Sequence, residues 1–256
     1  MDLPGPGPGQ HLEGNLEQDW WKVIGLSRDE VPEVAVLEGT WWRRQREADR
    51  LPLLENVREL DAPDWYWGTY QGHPVVYASM YGAARAVEPV VILGQLGTPT
   101  VVQIGSCGGI DPDAHTGDLL IPDLVAIEEG VSRWYHSDSM VSATPELVDK
   151  AFGLTEQMGI RALRGRSVTE DTLLGVRPHD DSVQRWIDAG YVGVDMETSA
   201  VFSAAQYMGM RRLSLIHIWD EYALARRWSD PLPPDVDAYR RSTEASMFQI
   251  ALRSTL

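Results

Sequence analysis

Apolar positions along this chain recur in two rhythms, one of period two and one near 3.6. Short apolar runs at residues 34–37, 100–104, 118–127, 193–196 and 212–219 predict strands, and the near-continuous run at 212–219 marks a buried one. Residues 66–70 and 74–80 predict a hairpin turning at Gln71-Gly72. Helical spacing covers 41–54, with a charged outer face, and 83–96, 144–158, 180–190, 197–208 and 235–252. Thr144-Pro145-Glu146 is a helix start and Gly209 a helix stop. Strands alternating with helices predict an α/β domain with a mixed sheet covered on both faces, most simply one domain over 31–256. Residues 1–14, with Pro4–Gly9 reading PGPGPG, are predicted to be disordered or loosely docked.

Composition narrows the function classes. A length of 256 residues with 43% hydrophobic and 23% charged residues suits a globular protein with a sizeable core. No apolar run approaches the roughly 18–20 residues of a membrane-spanning helix. A formal net charge of −16 argues against nucleic acid or an anionic membrane as partner, while leaving room for a small anion held by local arginines. Cys107 is the sole cysteine, so no intramolecular disulfide can form, and a reducing compartment is favoured. The opening MDLPGPGPGQHLEG lacks a basic segment followed by an apolar one, so a cytoplasmic location is expected. Ten tryptophans are many; cores or an oligomer interface are their default use, ahead of a ligand cage.

Three segments carry candidate chemistry. Strand 101–104 runs into Gly105-Ser106-Cys107-Gly108-Gly109, where glycines let backbone N–H groups converge on an anion and Ser106 adds a hydroxyl; the alternative is a tight turn that merely reverses the chain. It is not a Walker loop, since no Gly-Lys-Ser/Thr follows. Gly193-Val194-Asp195-Met196-Glu197 ends a strand at the mouth of a helix. Glu197 there either accepts hydrogen bonds from a sugar diol or caps the helix. The run Ser214–Trp219 delivers Asp220 and Glu221 at its end. Either is a general acid if burial raises its pKa, or both are solvated loop acids.

Together, Gly-Ser-Cys-Gly-Gly at 105–109, Thr116-Gly117-Asp118 and Val-Asp-Met-Glu-Thr-Ser-Ala at 194–200 resemble the nucleoside phosphorylase family of uridine and hexameric-type purine nucleoside phosphorylases. Ile24-Gly25-Leu26 looks like that family's N-terminal segment. Leu37–Arg43 occupies the place of its Pro-Gly-Asp-Pro-x-Arg loop, and Asn56-Val57-Arg58 that of a second phosphate arginine. The similarity runs over 22–256 and leaves 1–21 as a partly disordered extension. It implies a single domain whose central mixed, twisted sheet is partly barrel-like and flanked by helices. It also implies phosphorolysis of a nucleoside, purine favoured, to free base and ribose 1-phosphate, with inorganic phosphate as co-substrate and no other cofactor or metal. By the same resemblance Gly39, Arg43, Gln103 and Ser106 would bind phosphate, and Arg58 would reach it in a neighbouring subunit, making a homo-oligomer (dimer or hexamer) the active form. Met196 and Glu197 would hold the ribose. Cys107, Gly108, Val194, Leu173 and Trp219 would line the nucleoside, and Asp220 would protonate the base with Arg240 as partner.

The departures matter as much. Gln103 stands where the family has a phosphate-gripping arginine, Thr40 and Trp41 replace the Asp-Pro of the loop, and Val23 replaces a histidine that reaches a neighbour's 5′-hydroxyl. Trp219 replaces a small or polar residue, and Arg177 and His179 lie where uridine enzymes read the base. Water as nucleophile, a uridine-type enzyme and a binding protein without catalysis therefore stand as alternatives. An arginine at position 103 is expected to tighten phosphate binding if phosphate is the nucleophile, and to destabilise the fold if Gln103 is buried in its strand.

Overall fold

Strand pairing closes a ring at the centre of the molecule. The computed structural model describes residues 18–172 and 182–256. Within them the strands are β1 (Val34–Gly39), β2 (Glu55–Glu59), β3 (Trp65–Tyr70), β4 (His73–Met80), β5 (Thr100–Gly109), β6 (Leu119–Glu128), β7 (Met140–Ser142), β8 (Ala162–Glu170), β9 (Gly193–Asp195) and β10 (Arg211–Glu221). They form one mixed sheet in the order β10-β6-β8-β9-β5-β1-β4-β3-β2. β10 also pairs with β5, which closes β10-β6-β8-β9-β5 into a barrel-like ring, while β7 hangs on β6. The fold is a single α/β domain of the expected kind.

The helices are α1 (Trp20–Ile24), α2 (Arg43–Arg50), α3 (Ala83–Gln95), α4 (Pro145–Gln157), α5 (Ser182–Asp188), α6 (Thr198–Tyr207) and α7 (Pro234–Thr255). The helix predicted over 41–54 is shorter, because Pro52 turns its last part into the single 3₁₀ turn Leu51–Leu53. The 71–72 turn has positive φ at both positions, 51° at Gln71 and 87° at Gly72, the geometry that matches the twist of a tight hairpin. Strands β2, β7 and β8 had no clean apolar alternation: β8 carries Arg164 and Arg166 on one face and is buried only over its last four residues. The strand predicted at 100–104 continues to Gly109, since its glycines stay extended instead of turning.

The core lies between the sheet and α3, α6 and α7, with Val36, Tyr77, Ile104, Phe202, Leu215 and Phe248 fully buried. Burial of such side chains contributes roughly 1.5–3 kcal/mol each, an upper figure relative to an extended chain. No helix among the described residues is long and apolar enough to cross a membrane.

Candidate active site

A cavity of about 470 Å³ opens where β1, β5 and β10, parallel to one another, reach their carboxyl ends beside the β9–α6 junction. Open α/β sheets characteristically leave a ligand crevice at this point. Gly39, Ser106, Met196, Glu197, Trp219 and Asp220 line it together, although the sequence separates them by up to 181 positions, from Gly39 to Asp220.

Glu197 sits at the N-cap position of α6 but makes no side-chain cap bond. Asp195 takes that role, accepting from the Thr198 N–H at 2.9 Å and from the Thr198 hydroxyl. The Glu197 carboxylate turns instead to the cavity, where Oε1 accepts the Gly82 N–H at 2.7 Å. Burial and the nearby Asp195 carboxylate push its pKa up to about 8. Beside it the Tyr81 hydroxyl points at the Met196 sulfur, 3.7 Å away. The helix-cap alternative is therefore not realised; a buried carboxylate faces open space.

The two acids at the end of β10 have opposite environments. Burial raises the pKa of Asp220, which accepts the Trp228 N–H at 2.5 Å. Burial would raise Glu221 too, but bonds from the Thr116 N–H at 2.7 Å and hydroxyl at 2.5 Å, with Arg226 alongside, outweigh it and hold Glu221 below the usual range. Only Asp220 has the environment of a proton donor.

Other candidates are placed differently from expectation. Arg240 makes no ion pair with Asp220: its guanidinium lies 4.5 Å from the Trp219 ring centroid and pairs with Asp237 at 2.8 Å and Glu244 at 3.3 Å. Arg43 points away from the cavity to Asp64 at 2.6 Å and lines a neighbouring surface cleft. Arg58 bonds the Gly25 carbonyl at 3.0 Å and Glu30 at 2.8 Å, outside the cavity. Gln103 is 1% exposed; its Oε1 accepts from the Ser214 hydroxyl and lies 3.1 Å from the Thr198 hydroxyl oxygen, whose proton goes to Asp195, and its Nε2 donates to the Ile104 carbonyl at 3.2 Å. Cys107 packs in an apolar cluster with Leu120, Ile216 and Ile218, and burial pushes its thiol up. Val194 is in the core beside Ile110 and Trp186. Gly108 lies under Tyr222, whose ring a Cβ would meet at 2.0 Å, so the glycine is what lets that ring line the cavity. Leu173, Arg177 and His179 lie outside the described residues.

Several cavity residues carried no motif signal. Glu38 is gripped at two points by Arg50, at 2.9 and 3.0 Å, and accepts the Tyr77 hydroxyl at 2.9 Å. Arg46 bridges Glu38, at 3.6 Å, to Glu244. Trp42 packs on Trp219 with ring centroids 5.2 Å apart, and Trp228 and Trp41 complete an indole wall. His217 lies two residues before Trp219 on the same face of β10, so strand alternation places it in the cavity.

The Phosphorylase superfamily matches residues 33–250, a span that contains every one of these cavity residues. The chain belongs to this superfamily. Among relatives, it is 26% identical over 209 residues to a DeoD-type purine nucleoside phosphorylase of Caldanaerobacter subterraneus subsp. tengcongensis, covering 77% of this chain and 86% of that one. It is 28% identical over 192 residues to a guanosine phosphorylase of Halorubrum lacusprofundi, covering 73% and 77%. The crystal structure of a uridine phosphorylase from Vibrio fischeri superposes with a TM-score of 0.77 at 21% identity, over 90% of this chain and 94% of that one, which supports the superfamily fold. Within that fold the Asp195 carboxylate is taken up by Thr169 and Thr198, whereas Glu197 and Asp220 each line the cavity with a backbone N–H bond, from Gly82 and Trp228.

Proposed function

We propose that the protein cleaves the N-glycosidic bond of a nucleoside by phosphorolysis, a pentosyl transfer giving free base and ribose 1-phosphate, with a purine as the favoured base. The observation that carries this reading is Glu197: a buried carboxylate at a strand end, released from helix capping and facing the cavity, suits capture of a ribose diol. Breaking the bond gives a sugar with oxocarbenium character. Asp220, with its raised pKa, supplies the proton that a purine needs to leave, a contribution of about 10²–10⁴-fold. Gly39, Gly105 and Ser106 line the end of the cavity where the attacking oxygen would be held beneath the sugar. The names of the relatives support the reaction; they support the purine preference less, since a uridine enzyme shares the fold.

One observation favours water as a second reading. Arg43 is engaged by Asp64 and Gln103 by Thr198 and Ser214, so neither presents charge to a dianion in the cavity. A homo-oligomer belongs to the first reading, in which Arg58, half-exposed and outside its own cavity, would exchange its pairing with Glu30 for phosphate in a neighbour's. A nucleoside panel with and without phosphate tests both. Release of base with ribose 1-phosphate is expected; free ribose without phosphate dependence selects hydrolysis, and no release from any nucleoside rejects the reading.

A further inference from the structure

His217 is 1% exposed, lines the cavity and stands in register with Ser106 across the β10–β5 pairing. Its Nδ1 lies 3.0 Å from the Gly105 carbonyl oxygen, which can only accept, so the ring proton is on Nδ1. The other nitrogen, Nε2, then carries a lone pair; it is buried and has no partner. An unpaired buried acceptor costs free energy unless a ligand satisfies it. Burial and the cations Arg240, Arg46 and Arg50 push the ring pKa down to about 3, so the imidazole stays neutral throughout the physiological range. Those arginines are themselves held by Glu38, Asp237 and Glu244, which leaves this end of the cavity without large net charge.

From this geometry we infer that His217 is a positioning residue for the nucleophile: its Nε2 accepts a hydrogen bond from the O–H of an oxygen nucleophile held beside Ser106. The inference rests on the glycosidic reading above and deepens it. The shared ligand chemistry is an oxygen nucleophile that carries an O–H to donate. A singly protonated phosphate fits, with its P–OH on Nε2 and its other oxygens, one of them the attacking one, toward Ser106 and the end of β5; a water molecule fits the same acceptor. A fully deprotonated anion does not, because it would meet the lone pair with a lone pair. This acceptor also replaces part of what Gln103 and Arg43 do not supply, selecting the nucleophile by proton and direction more than by charge.

Two measurements on the full-length protein test it. The first is nitrogen-15 NMR of its histidines, six in the chain, with the His217 signals assigned by their loss in H217Q. The expected result is a neutral Nδ1–H tautomer whose bare Nε2 signal shifts on titration with inorganic phosphate if phosphate is the nucleophile. An Nε2–H tautomer or an imidazolium overturns the inference. The second is base release at saturating nucleoside with phosphate varied and omitted. H217F, which removes the acceptor, should raise the phosphate KM about tenfold or more, or, if turnover needs no phosphate, cut kcat by about tenfold or more. In both cases the nucleoside KM should stay within about twofold, and H217Q, whose amide oxygen restores an acceptor, should recover most of the loss. Unchanged kinetics in H217F, or a loss confined to the nucleoside KM, overturns the inference. If wild-type protein releases base from no nucleoside, the glycosidic reading fails by itself, and phosphate titration then decides for His217: a shift of Nε2 supports it and no shift overturns it.

Discussion

A Cβ placed on Gly39 would stand 2.9 Å from both the carboxyl carbon and Oε2 of Glu197. The last residue of β1 and the acid delivered by β9 thus share one space, and only hydrogen at position 39 leaves the carboxylate where it is. Gly39→Ala must displace the Glu197 carboxyl, the mobile end of a side chain, from its 2.7 Å bond to the Gly82 N–H. The fold should survive with a small change in melting temperature. Catalysis should not: kcat/KM is expected to fall by about ten- to a hundredfold, as for other ångström-scale misplacements in active sites. Steady-state kinetics beside a thermal melt checks this; a large Tm loss with normal specific activity would assign Gly39 to folding alone.

Glu197 makes a pH-dependent prediction whose sign is fixed. In the folded protein burial and Asp195 hold its pKa at about 8, against 4.5 for the ordinary side chain. Between those values the folded state keeps a proton that the unfolded state has released, so stability falls as pH rises from about 4.5 to about 8 and levels off above. The slope from this group is at most about 1.4 kcal/mol per pH unit. Glu197→Gln removes the ionisation, so its stability relative to wild type should grow with pH across that window, as measured by denaturant unfolding. The ionised form accepts two sugar hydroxyls best, so wild-type kcat/KM should climb toward pH 8 and the variant should stay low and flat.

Asp220 and Glu221 are neighbours with opposite expected phenotypes. Asp220→Asn removes the proton donor and should cost about 10²–10⁴-fold on natural purine nucleosides. The cost should be much smaller on a nucleoside whose activated leaving group departs unprotonated. Glu221→Gln, by contrast, loosens the bonds to Thr116 and Arg226 and should lower both substrates alike through the loop it anchors. Comparing kcat/KM for the two substrates in both variants decides the assignment; equal losses in Asp220→Asn would give Asp220 a binding or structural role.

What was legible in the sequence was what leaves a local trace. Continuous apolar runs marked β5 and β10, and the Gln71-Gly72 turn marked the β3–β4 hairpin, because burial and positive φ restrict residue choice directly. Gly39, Ser106, Met196, Glu197, Trp219 and Asp220 were readable as strand-end residues and do converge. Side-chain direction was not readable. Nothing near Arg43 in sequence announces Asp64, 21 residues on, and nothing near Arg240 announces that Trp219 would take its face. The Glu38–Arg50–Arg46–Glu244 network escaped for the same reason: its partners meet only after α7 has packed across the end of β1. His217 had a usable signal, since alternation along β10 puts it on the same face as Trp219, but a lone histidine in an apolar run reads first as core.

Gln103 separates a phosphate role from a strand role in one substitution. Its carboxamide lies on the face of β5 toward α6, where Oε1 accepts from Ser214 beside the Thr198 hydroxyl oxygen and Nε2 donates to the Ile104 carbonyl, and the residue is 1% exposed. Nε2 would lie 3.2 Å from a Cβ on Gly105, so the side chain fills the space beside that glycine instead of projecting past it. An arginine here places its branching carbon two atoms further out, has no acceptor for the Ser214 hydroxyl and brings a charge into an apolar and hydroxyl-lined site. Gln103→Arg should therefore destabilise the protein by about 1–3 kcal/mol or more, from the lost Ser214 hydrogen bond and the buried charge, and the phosphate KM should not improve. Gln103→Glu keeps the shape and the acceptor but exchanges the Nε2–H donor for an oxygen facing the Ile104 carbonyl, so it should lose stability less at low pH, where the acid is protonated, than at neutral pH. Thermal melts of both variants across pH, with phosphate kinetics on whatever folds, test this. A stable Gln103→Arg protein with a lowered phosphate KM would mean that the side chain at 103 can swing into the cavity, and would return this position to the phosphate site.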